Sequence, residues 1–460
     1  MTDANAIDQA LARARGFAAR GDDDAARQAY VDVLRLDQTH FAALNELGTL
    51  AYAGGYRSAA RTAWRQAVLH HPNNPMARIN LANLLAEDGD SATAQQHLQA
   101  VLDIDPAFPE AHQGLARLLG NLGDPAAEEH WQQGFHGHAV VTQRYRGVGS
   151  GVPILLLVSA RRGNIKVHHW INDRLFAVTA IYADFWDPAQ ALPPHALVMN
   201  AIGDADLCGE ALSRAETMLA HNMAPVINPP AKVRRTGRLD NAERLAAVPG
   251  VVAPRIISLP RTAVDKAAEL GFPLLLRSPG LHTGEEFVYV GEASALADAA
   301  ATLSHDTVLA IQYLDARGPD GMARKYRVMF VDGVLYPLHL AISPDWKVHY
   351  FTAAMTDHPA YRDEERRFLE DMPRVLGETA MQALAGITAA MGLDYCGVDF
   401  ALGPGGSLLL FEANATMVVF QPDADPIWDY RRPAITAVQD AVGRMLSQRI
   451  AGVGTGVRDL

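Results

Sequence analysis

Small and apolar residues return along the first 135 positions with a fixed spacing. Ala26, Ala60 and Ala94 lie 34 residues apart, as do Ala43, Ala77 and Ala111, and Leu47, Leu81 and Leu115. Gly21, Gly55, Gly89 and Gly123 keep the same period, and Pro72 and Pro106 close two of the units. The glycines suit a tight turn between two helices, and the prolines suit a stop after the second. Each unit therefore reads as a helix–turn–helix, with about three and a half units in all. One such unit cannot bury its apolar face alone. Stacking buries it and leaves a concave groove.

A 34-residue helix–turn–helix repeat resembles the tetratricopeptide repeat, which implies a docking surface for a peptide or protein. The alternative is a packing or dimerisation module, as a homodimer would use. Residues 136–150 (HGHAVVTQRYRGVGS) lack helical periodicity and read as a connector. Apolar runs of strand length then alternate with helical patterns. VPILLLVSA (152–160) reads as a buried strand, residues 196–206 as a second strand and loop, 210–222 as an amphipathic helix, and 225–230 as a short third strand. This alternation suggests a small parallel α/β unit over 151–230. It is not a dinucleotide site, because no G-x-G-x-x-G follows the first strand.

From about 231 the pattern changes. RLDNAERLAAV reads as a helix, GVVAPRIISL as a strand exit, GFPLLLRS (271–278) as a strand, PGLHTGEE as a glycine loop, and FVYVG as another strand. DTVLAIQYL (306–314) and the pair within 325–342, joined by Asp332-Gly333, add three more. Helices follow, then YCGVDFALGPGGSLLLFEANATM, then a helix over 426–450 and a loose tail, 451–460. The stretch from Tyr395 to Met417 reads as a hairpin. A turn near Gly405–Gly406 sets Asp399 opposite Glu412, and Asn414 shares the face of Glu412. Opposed Cβ atoms stand roughly 4.5–5.5 Å apart. Two carboxylates that close among Val398, Phe400 and Phe411 repel and lose hydration. A hard cation removes both penalties, and carboxylate and amide oxygens suit Mg²⁺.

Composition narrows the classes. The 460 residues allow about three domains. Net charge is −12, from 52 acids and 40 bases, which argues against generic nucleic-acid binding and a basic membrane-surface domain. No apolar run approaches the ~20 residues of a membrane span. The start, MTDANAIDQALARARG, has no apolar h-region and so does not read as a secretory signal. Cys208 and Cys396 cannot make a disulfide framework or a cysteine zinc site. These features suit a cytoplasmic protein.

The succession over roughly 152–450 resembles the ATP-grasp superfamily. Its signature, a strand Asp followed about a dozen residues on by Glu-x-Asn, matches Asp399, Glu412 and Asn414. The resemblance implies that these three hold Mg²⁺ between ATP phosphates. Two family lysines contact those phosphates, and both positions carry arginine here. Arg277 stands on the strand before the glycine loop, and Arg244 matches best in the preceding helix, with Arg238 as its rival. Arginine binds phosphate through a planar fork rather than as a point charge. The loop would lie over the phosphates, with Gly280 and Gly284 allowing close approach and the N–H groups of His282, Thr283 and Gly284 donating. AIQYLDA resembles the hinge strand that reads adenine, which implicates Gln312, Tyr313 and Leu314, with Asp315 or Asp320 at the ribose. KYRVMFVDG resembles the strand that brings Arg327 to the transferring phosphate, with Lys325 on the same face. Lys347 could reach the γ-phosphate or the substrate, and His339 and His349 could line the same cleft. Trp186, Asp187 and the loop Arg161–Asn164 lie where family members hold acceptor substrates.

The architecture this implies is multidomain: an all-α repeat solenoid over 1–135, a connector over 136–150, a pre-ATP-grasp α/β lobe over 151–230, and an α+β ATP-grasp domain over 231–450. The implied activity is an ATP- and Mg²⁺-dependent carboxylate–amine ligase working through an acylphosphate, with a peptide, amino-acid or carrier-protein substrate. Two rivals stand beside it: an ATP-grasp phosphotransferase acting on an alcohol, and a non-catalytic nucleotide-binding scaffold. Neither G-x-x-x-x-G-K-[ST] nor the H-R-D…D-F-G set occurs, which removes two other ATP-using classes.

Overall fold

The computed structural model describes residues 3–455 apart from 168–169, 282–283, 285, 349–352 and 423–424. The chain divides into two compact units, Met1–Pro153 with Asp173–Pro193, and Ile154–Asn172 with Pro194–Leu460.

The first unit begins with eight helices: α1 (Asp3–Arg20), α2 (Asp23–Leu36), α3 (Phe41–Ala53), α4 (Arg57–His70), α5 (Pro75–Glu87), α6 (Ser91–Leu102), α7 (Pro109–Asn121) and α8 (Ala127–Phe135). They pack in the pairs α1/α2, α3/α4, α5/α6 and α7/α8. The four periodic glycines close each first helix with φ between 69° and 85°, a left-handed conformation that side chains resist. Asp22 and Asp90 then cap the second helices by accepting from Ala25 N and Thr93 N. The periodic alanines Ala26, Ala60 and Ala94 are wholly buried. Gly48 must be small, because a Cβ there would meet Trp64 Nε1 at 2.5 Å. Between repeats, Tyr52 donates to Glu87 (2.7 Å), and Arg57 reaches Glu87 (2.9 Å) and Asp88 (2.7 Å). Burial, then the bond to Glu87, pushes the Tyr52 hydroxyl up to about 12.

Three strands follow: β1 (Val140–Thr142), β2 (Val152–Val158) and β3 (Phe176–Tyr182). Within the first unit β1 and β3 pair antiparallel, Val140 opposite Ile181. The Phe135 ring meets Tyr182 at 4.6 Å and Phe185 at 5.4 Å, fixing this segment to the last helix. The connector thus contains a strand, and 173–193, read above within the α/β lobe, belongs with the repeats. β1 is exposed at all three residues, so no burial pattern announced it.

In the second unit β2, β4 (Leu197–Asn200) and β5 (Val226–Ile227) pair in parallel, with α9 (Gly209–Met218) as the crossover between the last two. After α10 (Pro230–Val233), α11 (Arg238–Ala246) and β6 (Val251–Val252) come two further sheets. The first is antiparallel. It holds β7 (Ile256–Pro260), β8 (Leu274–Arg277), β9 (Phe287–Val290) and β10 (Thr307–Gln312) in the order β7-β10-β8-β9. Leu274, Leu276, Val290, Val308 and Ala310 bury one face of it against α12 (Leu296–Ala301). The opposite face carries Leu275, Leu309 and Ile311.

The other sheet holds β11 (Ala323–Val331) and β12 (Val334–Ser343). Then, beyond α13 (Pro359–Glu370) and α14 (Met372–Met391), it adds β13 (Tyr395–Leu402) and β14 (Leu408–Asn414). Its order is β12-β11-β13-β14-β6, with β6 parallel to β14, and α15 (Arg432–Thr455) packs on β11 and β12. An all-α repeat array followed by this α/β and α+β arrangement is the fold class expected from the sequence. Among the described residues no helix is long and apolar enough to cross a membrane.

Candidate active site

The hairpin of β13 and β14 sets Asp399 directly opposite Glu412. Its inner half is shifted by one residue, with Phe400 opposite Leu410, so Phe411 is the extra residue of a bulge beside the two acids. On its other side Asp399 faces Arg327 of β11, and Arg327 in turn faces His339 of β12. A row His339–Arg327–Asp399–Glu412 therefore crosses four adjacent strands. Opposed residues share a sheet face, so the four side chains stand together. A second register shift next to Arg327 puts a bulge at the other end of the row. Lys325 and Asn414, each two residues along from a member of the row, point to the same side.

Charge pairing in the row is dense. The Arg327 fork donates to both Asp399 oxygens, Nε to Oδ1 at 2.6 Å and Nη2 to Oδ2 at 2.7 Å. Lys325 Nζ lies 3.1 Å from Oδ2. Asp399 is only 3% exposed. Burial opposes its ionisation, but the Arg327 and Lys325 cations outweigh burial and hold the carboxyl far below the usual range. Glu412 Oε1 accepts from Arg238 Nη2 (3.1 Å) and from Asn414 Nδ2 (2.6 Å). Asn414 Oδ1 accepts from Thr416 N (3.0 Å) and Thr416 Oγ1 (2.9 Å). Burial first, and then the Arg327 cation, keep the His339 imidazole neutral.

Over this row lies a cavity of about 440 Å³, floored by the five-stranded sheet and roofed by the antiparallel one. The roof supplies Ile256, Leu275, Phe287 and Ile311, and the floor Leu338, Leu410 and Phe411, so both faces contribute apolar side chains. Gln312, Tyr313 and Leu314 also line the cavity, where β10 leaves its ladder after Gln312. The Gln312 carboxamide accepts from Arg255 N (3.1 Å), and the Gln312 backbone N–H donates to Arg255 O (2.8 Å). Trp346, from the segment after β12, packs on Phe287 (5.4 Å) and Tyr289 (5.6 Å) across the cavity. Next to it, Lys347 donates to the Gly284 carbonyl of the glycine loop.

The cavity's charge is one-sided. Arg431 is paired with buried Glu365 (2.6 Å). Apart from it, the described lining has Arg238, Arg277, Lys325, Arg327 and Lys347 against Asp399 and Glu412, an excess of three positive charges. Arg277 is buried on β8 over the Phe287 ring and donates to Leu281 O. Burial, then the neighbouring Arg238 cation, lowers it to about 10, so it remains charged at neutral pH.

The structure brings Arg277, Gly284, Gln312, Tyr313, Leu314, Lys325, Arg327, Lys347, Asp399, Glu412 and Asn414 to one cavity. It places others elsewhere. Arg244 turns away and donates to Ala390 O (3.0 Å) and the Asn241 carboxamide, because it lies on the face of α11 that meets the end of α14. Its rival Arg238, at the start of the same helix, lines the cavity. Asp315 holds Arg317 (2.6 Å) and Asp320 holds Arg324 (2.9 Å), neither lining the cavity. Gly280 adopts φ 71° beside Leu207, outside the lining. Thr283, His282 and His349 lie outside the described residues. Of the residues flagged for the acceptor, Gly163 and Asn164 line the cavity, whereas Trp186 and Asp187 belong to the first unit. Trp346, Arg431 and the Met417, Val418 and Phe420 wall were not foreseen, since isolated aromatic, cationic and apolar positions in loops carry no periodic signal.

The tetratricopeptide repeat family model matches residues 58–118. No curated protein matches the chain. Among solved structures, a tetratricopeptide repeat protein from Parabacteroides merdae is 22% identical over 28% of this chain and 52% of its own (TM-score 0.27). D-alanyl-alanine synthetase A from Vibrio cholerae is 13% identical over 66% of this chain and all of its own (TM-score 0.41). The VanG D-Ala:D-Ser ligase from Enterococcus faecalis is 14% identical over 65% of this chain and all of its own (TM-score 0.40).

Proposed function

We propose that the second unit is an ATP-grasp ligase that joins a carboxylate to an amine at the expense of ATP, with Mg²⁺ as cofactor. The observation that carries this reading is the excess of cations around an opposed pair of carboxylates, in a cavity that also takes apolar side chains from both sheets. A nucleotide triphosphate has that shape: a flat apolar base, then a chain of negative charge. The base would lie between Leu275, Ile311, Leu410 and Phe411, read by backbone groups of Gln312–Leu314. The phosphates would meet Arg238, Arg277, Lys325, Arg327 and Lys347. Asp399, Glu412 and Asn414 are oxygen donors on one sheet face, a set that suits Mg²⁺. Held there, the ion would neutralise phosphate charge.

The chemistry needs no protein nucleophile. A substrate carboxylate oxygen attacks the γ-phosphorus, and the bond from that phosphorus to the bridging oxygen breaks, its electron pair leaving with ADP. Arg277, Arg327 and Lys347 would stabilise the charge spread over the transferring phosphoryl group. The nitrogen of an uncharged amine then attacks the acyl carbon of the acylphosphate. The carbon–oxygen bond to phosphate breaks, the pair leaves with phosphate, and the amine proton passes to solvent. The product is an amide. The repeat groove of the first unit would dock a peptide or carrier-protein substrate. In this reading residues 1–135 form the docking domain, the part of 151–230 that lies in the second unit the substrate lobe, and 231–450 the ATP-binding domain.

Incubation of the full chain with Mg²⁺, ATP and pooled amino acids and peptides tests this. ADP and phosphate released in equal amounts, together with a new amide, is the expected result. ADP with a phosphorylated acceptor would instead identify a phosphotransferase. Absence of Mg²⁺-dependent ATP binding would leave a scaffold.

A further inference from the structure

We propose that the Asp399/Glu412/Asn414 trio is latched by the protein's own donors, so that the divalent cation binds only once a nucleotide has drawn those donors away. This rests on the nucleotide reading above and concerns its regulation. Each ligand is engaged in a different way. Both Asp399 oxygens are taken by the Arg327 fork, and Lys325 adds a third cationic contact at 3.1 Å. Glu412 Oε1 is shared by Arg238 at 3.1 Å and Asn414 Nδ2 at 2.6 Å. The Asn414 amide faces the wrong way for a metal. A backbone N–H needs an acceptor, so the Asn414 atom 3.0 Å from Thr416 N must be oxygen, and the amide presents its NH₂ group to Glu412.

A metal ion arriving alone would have to displace all three arrangements. It would also strand Arg327, whose side chain is only 18% exposed, without the carboxylate that balances it. Removing one member of a buried ion pair leaves the other uncompensated, which strongly opposes the exchange. A polyphosphate changes this balance. Its oxygens are equally good partners for Arg327, Lys325 and Arg238, all of which line the same cavity. Once those three turn to phosphate, Asp399 and Glu412 face each other across the hairpin with like charge, and the metal becomes their best partner. Nucleotide and metal therefore bind with positive coupling, and the coupling is reciprocal: each raises the affinity of the other by the same factor. A factor of about 100 is expected, within the usual range for such linkage. The latch also keeps the empty site from being occupied by whatever divalent ion is free.

Mn²⁺ is the probe, followed by its paramagnetic resonance signal on the full chain and calibrated against the nucleotide analogue alone. Without nucleotide, wild-type protein should bind Mn²⁺ about 100-fold more weakly than in the presence of a non-hydrolysable ATP analogue. Arg327→Gln should tighten nucleotide-free Mn²⁺ binding about tenfold, and adding Asp399→Asn should abolish that gain. Lys325→Met, which removes the charge but keeps the aliphatic stem, should give a gain in the same direction if Arg327→Gln fails to fold. Equal Mn²⁺ affinity with and without the analogue in wild-type protein overturns the latch. So does an unchanged affinity in a folded Arg327→Gln or Lys325→Met variant. A fluorescent ATP analogue distinguishes the two levels. Tight nucleotide binding with uncoupled Mn²⁺ sinks the latch alone. No nucleotide binding under any condition sinks the nucleotide reading and the latch with it.

Discussion

Asp399 and Glu412 are a matched pair by sequence and an unequal pair by environment. Asp399 is buried and neutralises Arg327, whereas Glu412 keeps 27% of its side chain exposed. Asp399→Ala should therefore lower stability by about 3–5 kcal/mol, because it strands a buried guanidinium. Glu412→Ala should change stability by about 1 kcal/mol or less, yet abolish Mg²⁺-dependent ATP turnover. Thermal melts beside a turnover assay check both; retained turnover in the Glu412 variant would remove it from the site. His339 gives a pH signature. Its folded imidazole stays neutral below its ordinary value, so the unfolded chain takes up a proton that the folded chain refuses. The stability this contributes is present above about 6.5 and is lost as pH falls through that value. His339→Gln should flatten the melting-temperature decline between about pH 6.5 and 5.

Elements differ in how openly the sequence declares them. The repeat helices are legible because a period of 34 forces the same small residue into the same tight contact each time, as at Ala26, Ala60 and Ala94. Trp64 fills the space between such contacts at 4% exposure, and Trp64→Ala should cost about 3–5 kcal/mol. Circular dichroism should show that loss as a lowered helical melting transition. The trio was legible because a hairpin turn fixes register, although the bulge at Phe411 shifted the pairs nearer the turn. β3 was not foreseen, although its residues alternate partly between buried and half-buried. Arg238 and Arg244 sit six residues apart on one helix and differ only in which face meets the cavity. That is decided by Asn241, which anchors α11 through Thr236 O and Ala413 O, and no local pattern carries it. Trp346 and Lys347 gain meaning only when the segment after β12 reaches the other sheet.

On the scale of the whole chain, two electrostatic facts pull apart. The protein carries a net charge of −12, while its cavity lining holds three more cations than carboxylates. A polyanion is therefore repelled at long range and attracted once inside. Salt separates these, since exposed charges are screened beyond roughly 10 Å at 0.1 M while buried ones are screened much less. Affinity should rise with each phosphate, in the order adenosine, AMP, ADP, ATP, by about tenfold per step, as each adds charge-assisted bonds worth about 1.5 kcal/mol or more. Calorimetry at 0.1 M and 1 M salt checks this ladder. The steps should shrink only a few-fold at high salt, because Arg277 is buried and the Arg327 side chain is only 18% exposed. A ladder that collapses entirely at 1 M salt would place the phosphates on exposed side chains instead. Adenosine binding as tightly as ATP would mean that the cations of the β11 and β8 strands serve some ligand other than a nucleotide.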